Sequence, residues 1–141
     1  MISDKNFMLR TAHNNIYDKL VDEKKLFHRK HHLFIFGLVY GLLHNIKSEK
    51  SPTVDMVYLN SVKDQNTRDI IDIVYLILSE DGKTDEKIFE EILRIADAGV
   101  ERIEKIDENN TNDNFNLPNL LLEAENLWPK RASEFKFEIR N

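Results

Sequence analysis

The sequence predicts an all-α protein, a compact bundle of about five helices with a short extended segment near the C-terminal end. Three observations carry this expectation. Apolar residues recur at three- and four-residue spacing along most of the chain. The longest such stripe, Ile88, Phe89, Ile92, Leu93, Ala96, Val100 and Ile103, runs for more than four turns. The one continuous apolar run, from Leu33 to Leu43, would rise only about 16 Å as a helix against a bilayer core of about 30 Å, so it reads as a buried helix. With 141 residues, 41% of them hydrophobic, one domain with a sizeable core is expected. The chain has no Cys, which excludes a disulfide framework, a Cys-based zinc site and a thiol nucleophile.

The elements follow in order. From Asp4 to about Leu26, the residues Phe7, Leu9, Ala12, Ile16, Leu20 and Val21 recur at near-helical spacing and predict a first helix. The polar hinge His28-Arg29-Lys30-His31-His32 then leads into the apolar run. Gly37 and Gly41 stand four apart in that run, on one side of a helix, where they form a smooth groove for another helix. The segment Thr53 to Val62 fits a helical face or a strand, its β-branched content suiting the latter. Thr67 to Leu78 is apolar nearly all round, which places it as a helix at the centre of the bundle.

Ser79 to Lys83 makes a turn, and Thr84 or Asp85 is a suitable N-cap for the long helix running to about Ile106. Ala96 and Gly99 put small residues on or beside its stripe, marking a second close helix contact. Residues 1–106 are thus the main bundle. An Asn-rich linker, 107–116, follows. Residues 117–141 hold a last helix, Pro118 to Trp128, and a tail in which Phe135, Phe137 and Ile139 alternate as in an extended segment.

Charge is uneven. Residues 1–32 carry seven Lys and Arg against four Asp and Glu, a net of +3, and four of the five His; residues 33–141 carry −8, giving −5 for the chain. Lys24, Lys25, His28, Arg29, Lys30, His31 and His32 therefore form the candidate nucleic-acid contact, with enough charge for a few phosphates. No helix-turn-helix, zinc-finger or RNA-binding signature accompanies them.

A metal is not expected at the three clustered histidines, because no carboxylate sits at ligand spacing in that helix and Arg29 and Lys30 repel a cation. The carboxylates Glu90, Asp97, Glu101 and Glu104 match the solvent face of the long helix. No glycine-rich phosphate loop, nucleophile elbow or His-Glu-x-x-His pattern occurs. The residues therefore assign no catalytic role and no cofactor. The N-terminal stretch has acids and amides where a signal peptide needs an apolar core, so the expected location is the cytoplasm, without membrane contact.

The order of Asn15-Ile16-Tyr17-Asp18-Lys19-Leu20, then Phe34-Ile35-Phe36-Gly37 with Tyr40-Gly41, then Ile88-Phe89-Glu90-Glu91 and Ile95-Ala96-Asp97-Ala98-Gly99-Val100-Glu101 resembles the fourth Dnd-system-associated family. These small proteins are encoded beside genes for DNA phosphorothioate modification and its linked restriction. The likeness spans roughly residues 10–106. It implies an accessory role in a DNA-modification-linked defence locus and carries over no catalytic residues. The leading expectation is a non-enzymatic adaptor that binds proteins of such a complex. A direct DNA-binding subunit is the alternative, and a metal-dependent hydrolase or nuclease using carboxylates between Glu80 and Glu91 is a third. Self-association through the Gly37/Gly41 groove is also open.

Overall fold

A computed structural model describes residues 2–109. The chain beyond, including the helix expected at Pro118 to Trp128 and the extended tail, lies outside the described residues. A 3-10 turn, Ile2–Asp4, opens the fold. There follow strand β1 (Met8–Thr11), helix α1 (Asn14–Tyr17) continuing as a π-helix over Asp18–Glu23, helix α2 (Lys30–His44), strand β2 (Val54–Tyr58), a 3-10 turn (Leu59–Ser61), helix α3 (Gln65–Leu78) and helix α4 (Asp85–Asn109).

The all-α expectation is therefore corrected: four helices are joined by a two-stranded antiparallel sheet. The helix predicted from Asp4 to Leu26 begins only at Asn14. Before it, Leu9 and Thr11 are buried and Arg10 between them is exposed, the period of a strand. β1 pairs with β2 in the register Met8 to Tyr58 and Leu9 to Val57, then Arg10 to Asp55 and Thr11 to Val54, with a bulge between Leu9 and Arg10. The segment from Thr53 to Val62, open between helix and strand in the sequence, is β2 and the turn after it.

The core is built where α2 crosses α4. A Cβ placed on Gly99 would stand 1.8 Å from the Gly37 carbonyl oxygen, one on Gly41 would stand 2.4 Å from the Ile95 carbonyl, and one on Gly37 would stand 2.7 Å from the Ala96 carbonyl. The two backbones touch with no side chain between them, as small residues at facing positions allow. Around this crossing pack Leu33, Phe34 and Leu38 of α2, Ile88, Ile92, Val100 and Ile103 of α4, and Leu9, Tyr17, Leu20 and Leu59 from the other elements.

The helix ends are set locally. Asn45 at φ 58° ends α2 in the left-handed conformation, and the Ile46 amide donates back to the Gly41 carbonyl at 3.0 Å, a Schellman-type closure for which Asn is suited. Asp64 caps α3, accepting from the Asn66 amide at 3.2 Å and the Thr67 hydroxyl at 2.8 Å. Thr84 accepts from the Lys87 amide at 3.2 Å at the start of α4. The connection from α2 to β2 is held by Arg94, whose guanidinium donates to the Glu49 carbonyl at 2.8 Å.

α3 does not lie at the centre of the fold, as its apolar sequence predicts. It packs against the Ile2–Asp4 turn, α4 and α2, and Asp72 accepts from the Ser3 amide (2.9 Å) and hydroxyl (2.6 Å). Its opposite face is open, with Ile73 50% and Leu76 58% exposed. No helix among the described residues is long and apolar enough to cross a membrane.

Alanine at an exposed helical glycine gains about 1 kcal/mol from propensity, whereas overpacking a close contact costs about 1–3 kcal/mol. At Gly99 the clash is with backbone, so it wins. Gly99→Ala is expected to lower the unfolding free energy by a net of about 1–2 kcal/mol in chemical denaturation, and an unchanged or raised value would contradict the crossing.

Candidate functional site: the histidine corner and the buried Asp97

The basic segment forms a corner. After Glu23 the chain reverses through Lys25 at φ 55°, with the Leu26 amide donating to the Leu20 carbonyl at 2.9 Å. Phe27 anchors the corner by packing edge-on against Phe36, ring centroids 5.6 Å apart. Arg29 is extended, and its carbonyl accepts from the His32 and Leu33 amides as α2 begins.

This geometry separates the seven predicted contact residues. Lys24 reaches across to the buried Asp107 of α4 at 2.5 Å, and Lys30 lies 3.9 Å from Asp18. Lys25, His28 and Arg29 are exposed. His31 and His32 are half-buried in the first turn of α2. The structure thus brings together only part of the predicted basic patch, and two of its four permanent charges already face carboxylates.

The two inner histidines border an open pocket with Arg29, Val57, Ser61, Val62, Lys63 and Asp64. His31, His32 and Asp64 each turn a ligand atom inward, all within 4.8 Å of one another. His32 Nε2 stands 3.7 Å from Asp64 Oδ2. The His31 and His32 rings meet edge-on at 4.4 Å, and the His28 ring lies 6.4 Å from that of His32. Burial, then the neighbouring His32 charge and Arg29, hold the His31 pKa below its ordinary value against the pull of Asp64. The Thr67 hydroxyl, the Asn66 amide and the two imidazoles hold Asp64 below the usual carboxylate range. Asp64 lies outside the hinge, and its sequence signal is its place as a helix-capping Asp just before α3, which fixes a carboxylate at that helix end.

A second polar cluster joins α4 to the end of β1. Asp97, expected on the solvent face of α4, is fully buried instead. Its carboxylate accepts from the Thr11 hydroxyl at 2.6 Å and the Ala12 amide at 2.9 Å, and Thr11 in turn accepts from the His13 amide at 2.9 Å. Glu101 sits against His13 Nε2, an ion pair when that ring is protonated but not aligned as a hydrogen bond. The Tyr17 hydroxyl is buried with no hydrogen-bond partner among the described residues; burial and the charge of Asp97 push its pKa up. Asp97 lies between Ala96 and Ala98, and that small-residue setting is the sequence signal that it faces inward.

The carboxylates between Glu80 and Glu91 do not converge. Asp85 bonds Lys5 and Tyr75, Glu90 lies 3.4 Å from Arg94, and Glu91 lies 3.3 Å from Lys83. Among the described residues, the one group of three side chains placed to share a metal ion is His31, His32 and Asp64. Of the helix-packing candidates, Gly37 meets Ala96, Gly99 and Val100, and Gly41 meets Ile95. In comparisons with known proteins, no family model, no curated protein and no solved structure matches this chain.

Two outcomes follow for the Asp97 cluster. Thr11→Val keeps the shape of the side chain and removes a hydrogen bond to a buried carboxylate, so a loss of about 2 kcal/mol is expected in denaturant unfolding. Burial, with Glu101 adding, raises the Asp97 pKa against the lowering by Thr11, Ala12 and His13. Its stabilising contribution is then fullest below the unfolded value of about 3.9 and declines as pH rises through the higher folded value. The stability difference between wild type and Asp97→Asn should shrink from acid towards neutral pH; a flat difference would contradict the shift.

Proposed function

We propose that this protein is a non-enzymatic accessory subunit that acts in the cytoplasm by binding other proteins of a DNA-modification-linked defence complex. The observation that carries the contact-based reading is the outer face of α3, where Ile73 and Leu76 are exposed over half or more of their surface and Ile77 is half-buried beside them. Positions 73, 76 and 77 share one helical face. Covering the exposed half of such side chains yields about 1 kcal/mol each, and grouped exposed apolar residues are a common mark of protein contact surfaces. The class of partner comes from the resemblance over residues 10–106.

Direct DNA binding is the weaker reading, because Lys24 and Lys30 already face carboxylates. Lys25 and Arg29 would provide about two phosphate contacts, and binding would then fall with salt at a log–log slope of only about −2. The ion-paired carboxylates between Glu80 and Glu91 give a metal-dependent hydrolase no support.

Affinity purification from the native host, with wild type beside an Ile73→Glu, Leu76→Glu variant, tests the proposal. Both positions are solvent-facing, so stability should stay within about 0.5 kcal/mol per site. A defence-complex protein retained by wild type and lost by the variant is expected. Equal retention by both, or no specific partner, would remove the α3 face from the account.

A further inference from the structure

We propose that His31, His32 and Asp64 bind one zinc-like divalent cation that clips the start of α2 to the start of α3. The inference goes beyond the adaptor reading and does not depend on it.

The donor set is two imidazoles and one carboxylate, a combination that suits Zn²⁺, Co²⁺ or Ni²⁺ better than the oxygen-seeking Mg²⁺ and Ca²⁺. Zinc bonds of about 2.0–2.2 Å place tetrahedral ligands about 3.4 Å apart. His32 Nε2 and Asp64 Oδ2 are already 3.7 Å apart, and all three ligand atoms lie within 4.8 Å of one another. All three side chains are only half-buried, so small rotations close the remaining distance.

Asp64 is also oriented from behind. The Thr67 hydroxyl and Asn66 amide hold its oxygens, the kind of outer support that fixes metal-ligating carboxylates. A carboxylate has about four lone-pair directions, so it can cap α3 and ligate a cation at once. Three protein ligands leave a fourth position of a tetrahedral ion open to water, and the His28 ring lies 6.4 Å from that of His32. Arg29 and Lys63 border the same pocket. They oppose a cation, so affinity in the micromolar range is expected rather than that of a closed structural zinc site.

The test is calorimetric titration of the untagged full-length chain with Zn²⁺, with the Co²⁺ absorption spectrum as a reporter of nitrogen and oxygen ligation. One ion per chain is expected, with no matching uptake of Mg²⁺. His32→Ala and Asp64→Asn should each weaken Zn²⁺ binding at least about tenfold, the low end of what losing even an outer-shell partner costs. Asn caps helices as well as Asp, so Asp64→Asn removes the ligand charge while keeping α3 folded. Absence of saturable Zn²⁺ binding, or a smaller loss in Asp64→Asn, overturns the site.

Discussion

The contact of the α2 and α4 backbones at Gly37, Gly41, Ala96 and Gly99 is the constraint on which the other features depend. With the Gly37 carbonyl occupying the space where a Gly99 side chain would begin, neither helix can rotate or slide without a clash. That fixed crossing aligns the apolar faces of both helices over one core. On another side of α4, Asp97 is buried beside the end of β1, where it must find hydrogen-bond donors or be left as an unpaired charge. The end of β1 supplies them through Thr11 and Ala12. α4 thus fixes α2 through four small residues on one side and the end of β1 through Asp97 on another.

Much of this was legible in the sequence where a single periodicity dominated. The α4 stripe, the buried run of α2 and the small residues at their crossing all declare a helical pattern. β1 was not legible as a strand because one of its two buried residues is Thr11, whose polarity hides the alternation, and because Ile16 and Leu20 extend a helical rhythm backwards across it. β2 carries no clean alternation either; Val54 and Tyr58 are exposed and Met56 and Val57 only half-buried, as expected of a two-stranded ribbon with water on one side. The apolar content of α3 predicts a central position, whereas part of it faces outward. Propensity and period report that a helix forms, and the partner for each face is decided by long-range packing.

The candidate sites divide the same way. A run of basic residues is visible in sequence, but its usable charge depends on carboxylates far along the chain: Asp107 meets Lys24 from the opposite end of the described fold. The histidine corner shows the converse, since its third donor comes from the cap of another helix. Both proposals converge on α3. Its cap, Asp64, faces the α2 histidines, and its outer face carries Ile73 and Leu76. A cation at the corner would fix the start of the helix that presents the apolar face.

Native-state hydrogen exchange tests the central claim about the crossing most directly, because it reads backbone protection residue by residue. Amides of α2 from Leu38 to Leu43 and of α4 from Ala96 to Ile103 should exchange slowest and share one opening free energy equal to that of global unfolding. The β1 and β2 amides should open at lower free energy. If α2 or α4 exchanges through a local opening while the strands stay protected, the crossing is not the constraint that holds the fold.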